Sequence, residues 1–110
     1  MRLGAFVMVL ALAAPAAMAA DADDSFNGIQ QACRDLLDPN SNKDLYKQGK
    51  CAGIVEGVVW GAPSICPPNR WTVNQATRIV LNYADRAPHR WHEPHHKLIQ
   101  ESLEGVWRCR

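Results

Sequence analysis

The sequence predicts an all-α domain of about four helices, arranged as two hairpins that are each closed by a disulfide. Three observations carry this reading. Apolar residues recur at three- and four-residue spacing in four separate segments, and no alternation of period two runs for any length. Turn and capping residues bound each segment. Four cysteines, Cys33, Cys51, Cys66 and Cys109, lie in a short chain that opens on an export signal, where an even count reads as two bridges.

Residues 1–19 read as a signal peptide. Arg2 supplies a charged start, Ala5–Ala14 an apolar run, Pro15 a helix break, and Ala17-Met18-Ala19 the small residues of a cleavage site. The run falls short of the roughly 20 residues a membrane span needs, and no later segment comes closer. Cleavage after about Ala19 leaves residues 20–110 as a single exported helical domain.

The first helix carries Phe26, Ile29, Cys33, Leu36 and Leu37 on one face, with Asp23, Asp24 and Ser25 at its start and Pro39 beyond its end. Asp38-Pro39-Asn40-Ser41-Asn42 is a turn cluster. The second helix, between Asp44 and Pro63, has Cys51, Val55, Val58, Val59 and Ala62 as its stripe. Thr72-Val73-Asn74-Gln75 is a capping box opening the third, where Ala76, Ile79, Val80, Tyr83 and Ala87 share a side before Pro88. The fourth starts near Pro94 and buries Leu98, Ile99, Leu103, Val106 and Trp107.

This order selects among the three pairings open to four cysteines. Cys33 and Cys51 flank the first bend and face each other across a hairpin. Cys66 precedes the third helix and Cys109 follows the fourth, so the two meet where the ends of an antiparallel pair coincide. In the chain-entropy model the two loops contribute about 3 and about 4 kcal/mol, a large share of the stability of so small a domain.

Composition narrows the functional classes. The chain has 110 residues, with 12 Lys+Arg against 11 Asp+Glu. Loss of Arg2 brings the charges into balance, so the basic excess that nucleic acids or anionic membranes require is absent. Serines lack a nucleophile context, carboxylates are scattered, and the cysteines are committed to bridges, so no catalytic residue is assigned. No cofactor is implied. His89, His92, His95 and His96 cluster, and His92 and His96 stand four apart as weak metal candidates. Pro94 sets the helix start between them, however, and a metal site needs three or four converging ligands. Protonated histidines at that helix start would oppose its dipole.

Gly53, Gly57 and Gly61 share one face of the second helix, and each disfavours a helix by roughly 1 kcal/mol relative to Ala. Their expected use is close packing within the domain, against the third or fourth helix; the alternative is a subunit or partner helix. Trp60 falls beside this face, and Trp71 lies just ahead of the capping box. With Arg70 these are the candidate partner-binding residues, since Trp and Arg are enriched at interface hot spots; the alternative is that the two rings cover the core.

Cys51-Ala52-Gly53-Ile54-Val55-Glu56-Gly57-Val58 resembles the second-helix motif of the Tai/Rap immunity proteins. Cys66-Pro67-Pro68, Trp71-Thr72-Val73-Asn74-Gln75, Tyr83, Pro88, His92-Glu93-Pro94, Leu98-Ile99, Leu103 and Cys109 continue the pattern. The chain departs from it at Ile54, Trp60 and Trp91. The resemblance implies a periplasmic, helical, disulfide-bonded protein, often a homodimer, that binds and inhibits a type VI secretion peptidoglycan amidase effector. A different reading of the residues alone is a periplasmic stress or chaperone-like protein without an amidase partner.

Overall fold

A computed structural model describes residues 4–5 and 24–110. Apart from residues 4 and 5, the leader expected over residues 1–19 lies outside the described residues. Four α-helices follow one another: α1 Phe26–Leu37, α2 Leu45–Gly61, α3 Val73–Asp85 and α4 His95–Val106, with a 3-10 turn at Pro88–Arg90. Among the described residues there is no β-strand, only two isolated bridges, and no helix is long and apolar enough to cross a membrane.

The helix starts follow from local chemistry. The Asp44 carboxylate accepts from Lys47 N–H at 3.1 Å and caps α2. Thr72 and Gln75 complete the capping box of α3 in both directions, at 3.1 and 3.0 Å. The opening of α1 is satisfied from elsewhere in the chain. Phe26 N–H donates to the Glu93 carbonyl and Asn27 N–H to the Trp91 carbonyl, while His95 N–H donates back to the Asp24 carbonyl. The starts of α1 and α4 are thereby locked together at the Ser25–Pro94 bridge.

Packing makes two hairpins, α1 with α2 and α3 with α4. Each carries the expected bridge, Cys33–Cys51 with Cα atoms 5.4 Å apart and Cys66–Cys109 at 5.0 Å. Between them lies one core, centred on Phe26, Cys33, Cys51, Val55, Val80, Leu98, Ile99 and Leu103. The stripes of α3 and α4 need adjustment. Thr77, Leu81 and Ala84 are buried on α3, whereas Ile79 and Tyr83 sit at its margin. Thr77 enters the core because its hydroxyl donates to the Val73 carbonyl at 2.8 Å, leaving no polar atom without a partner. On α4, Ser102 is buried by the same device, donating to the Ile99 carbonyl, and Val106 instead stands 61% exposed.

Candidate functional site

The segment between α2 and α3 is short of helix but strongly fixed. The Cys66–Cys109 bridge, the Ile65–Arg108 β-bridge and the Cys66 N–H bond to the Trp107 carbonyl (2.9 Å) tie it to the chain beyond α4. Arg70, at φ 61°, turns the backbone through the left-handed region immediately before Trp71. A non-glycine residue adopts that conformation at a cost which the surrounding ties must offset.

These constraints produce a row of three indoles. Trp71 lies between Trp60, at 6.1 Å, and Trp107, at 5.8 Å edge to face. Trp71 and Trp107 are half-buried against the core, but Trp60 is 73% exposed. The structure therefore brings together Trp60 and Trp71 and sets exposed Arg70 next in the chain. Such a patch has no acid, base or nucleophile of its own. What it offers is rigid aromatic area beside a cation, the ingredients of an interface anchor.

The glycine expectation is corrected. Gly53, Gly57 and Gly61 are exposed, and a Cβ placed on any of them meets nothing within 4 Å. They do not pack against α3 or α4. Both of those helices lie on the opposite side of α2, where Cys51, Val55 and Val59 are buried. Tyr46 (82% exposed) and Leu45 (67%) join Trp60 as large apolar side chains left outside. The low polarity of α2 all round its circumference was the signal in the sequence, since a helix facing plain solvent carries a polar back.

The histidines are dispersed. His92 Nδ1 lies 3.1 Å from its neighbour His89's carbonyl, while His96 packs edge to face on His95, not on His92. Among the described residues no three His, Cys, Asp or Glu side chains are placed to hold a metal ion. His95 has a buried Nδ1 with no hydrogen-bond partner, and burial, reinforced by His96, holds its ring below the usual imidazole range.

Sequence reasoning missed the polar clamp at the other end of the bundle. The Arg90 guanidinium donates to Glu93 (2.6 Å), Glu101 (2.7 Å) and the Tyr83 hydroxyl (3.1 Å), and Lys97 adds a bond to Glu93 at 2.8 Å. These donors hold the Glu93 carboxyl down to about 2. Nearby, Trp91 donates from Nε1 to the Ala84 carbonyl and meets Phe26 edge to face, while Arg34 stacks over its ring and pairs with Asp85. Arg34 and Asp85 are 51 residues apart, a contact that no local pattern encodes.

A family model for Rap1a immunity proteins matches residues 25–109. No curated protein matches the chain. No solved structure matches it either.

Proposed function

Because the chain belongs to the Rap1a immunity protein family, we propose that it is exported to the periplasm and there inhibits a cognate type VI secretion peptidoglycan amidase. It would thereby protect the producing cell and its kin from wall lysis. The observation that carries this reading is the extent of the family match, which takes in all four helices and both bridges. The leader pattern of residues 1–19 and a pair of disulfides, which persist in oxidising compartments, support export. Inhibition of this kind requires no catalysis. It requires a preorganised surface that blocks a cleft, a reading supported by a stapled bundle that leaves Trp60 exposed at the end of an indole row.

The test is co-expression in the periplasm with the product of the neighbouring reading frame, followed by purification on a tag. A stable complex and rescue from lysis are expected; absence of both overturns the reading. Within that complex Trp60→Ala, Arg70→Ala and Trp71→Ala probe the contact patch. As interface anchors, at least one of them costs roughly 2 kcal/mol or more of binding, read by calorimetry. Trp60→Ala is the cleanest of the three, since so exposed a ring contributes little to folding.

A further inference from the structure

The two disulfides differ in what can reach them. Cys33 and Cys51 are both 0% exposed, sealed in the core. Cys66 and Cys109 are both exposed. Thiol–disulfide exchange needs a thiolate to arrive at one of the two sulfurs, so access decides which bridge reacts in the folded protein. The outer bridge admits a thiol as it stands; the inner one admits none until the core opens. The outer bridge also has a cationic setting. Arg108 and Arg110 flank Cys109 in the chain, both are exposed, and neither takes part in an ion pair among the described residues. Positive neighbours stabilise a thiolate, which makes Cys109 the better leaving sulfur of the pair.

What the outer bridge holds in place is the row of indoles. It ties the segment before α3 to the chain beyond the end of α4 at Val106. Weaker links cross the same seam: the Ile65–Arg108 bridge, the bond from Cys66 N–H to the Trp107 carbonyl, and the edge contact of Trp71 with Trp107. Beside Trp71, Arg70 sits in the left-handed region at φ 61°, a conformation that persists only while its surroundings impose it. We propose that Cys66–Cys109 is a site of reversible thiol–disulfide exchange in the folded protein, opened by a dithiol, and that its opening releases the indole row. One thiolate of the dithiol bonds to Cys66 Sγ as the Cys66–Cys109 bond breaks, and Cys109 leaves as a thiolate. The second sulfur of the dithiol then attacks the mixed disulfide, closes its own S–S bond and frees Cys66. Two electrons and two protons pass to the cysteine pair, so the dithiol is oxidised and the bridge reduced. Cys33–Cys51 and the core hold the four helices together meanwhile. A partner that grips Trp60, Arg70 and Trp71 is bound by the oxidised chain and released by the reduced one. That consequence rests on the effector reading given above; the exchange itself does not.

The test is to treat the oxidised chain, purified from the periplasm, with dithiothreitol at neutral pH without denaturant. Samples are quenched at intervals, alkylated and mapped by mass. Cys66 and Cys109 are expected to label together, roughly a hundredfold or more faster than Cys33 and Cys51, whose reduction waits on unfolding. The helical circular dichroism spectrum is retained, while acrylamide quenching of tryptophan emission rises as the row comes apart. With glutathione, a monothiol, the adduct is recovered on Cys66 with Cys109 free. Opening of both bridges at one rate, or of Cys33–Cys51 first, overturns the proposal. So does loss of helix on opening of the outer bridge, or quenching that does not change, and an adduct on Cys109 overturns the order of attack. C66S/C109S should reproduce the quenching of the reduced chain and bind the co-purified effector at least about tenfold more weakly. Undiminished binding overturns the control of the partner. An oxidised chain that binds no effector overturns the effector reading alone, since the rates of exchange and the quenching are measured without it.

Discussion

Glu93 and His95 lie two residues apart, and the fold holds both in the deprotonated form as the pH falls. Held down to about 2 by Arg90 and then Lys97, the Glu93 carboxylate keeps its charge in the fold well below the pH at which a free Glu takes up a proton. Its contribution is complete above about pH 4.5 and drains away from there toward pH 2, as the unfolded chain binds the proton first. His95 acts higher. Burial, and after it His96, lowers the affinity of its ring for a proton, so as the pH falls through the usual value near 6.5 the unfolded chain takes up the proton before the fold does, and stability declines. Urea unfolding as a function of pH should show both arms. Glu93→Gln flattens the lower arm and His95→Asn the upper one. None of this was legible in the sequence beyond the presence of histidines near a helix start. The Arg90 clamp draws on α3, the 3-10 turn and α4 at once, and its members look like ordinary surface charges when read in order.

Helix by helix, the sequence was most informative where one short motif decides a boundary. Thr72 and Gln75 are such a case, and both halves of their capping box form as read. Thr72→Ala should cost about 1 kcal/mol in thermal unfolding. Register was less legible. Counting only apolar letters on α3 selected Ile79 and Tyr83 over Thr77, because a hydroxyl that bonds its own helix is indistinguishable in sequence from one that seeks water. On α4 the same count included Val106, which stands exposed, and passed over Ser102, which is buried. On α2 the glycines were seen, and their outward direction was not. Gly53→Ala should raise stability by up to about 1 kcal/mol, which in a domain of this size lifts Tm by about 4–8 °C. A fall in Tm would mean that the open face meets something within the monomer after all.

At the scale of the whole molecule, the two hairpins are held by staples of different reach, spanning 18 and 43 residues. Hairpin topology made their pairing readable in advance, since only one arrangement suits antiparallel neighbours of these lengths. The long-range ties were not readable. Arg34 with Asp85, the indole row and the two β-bridges depend on how one hairpin is laid on the other. Removing the wider staple as the pair C66A/C109A should cost about 4 kcal/mol, against about 3 for C33A/C51A, a difference that denaturant midpoints would resolve. The wider one also anchors the segment bearing Arg70 and Trp71, so its loss should weaken any partner that uses them more than loss of the other. The indole row gives the molecule an optical reporter as well. Three fluorophores spaced about 6 Å apart share excitation, and the outermost, Trp60, emits from the wettest surroundings. Whatever covers that ring, a second copy or an effector, should move the emission toward the blue, so docking can be followed on the unlabelled protein.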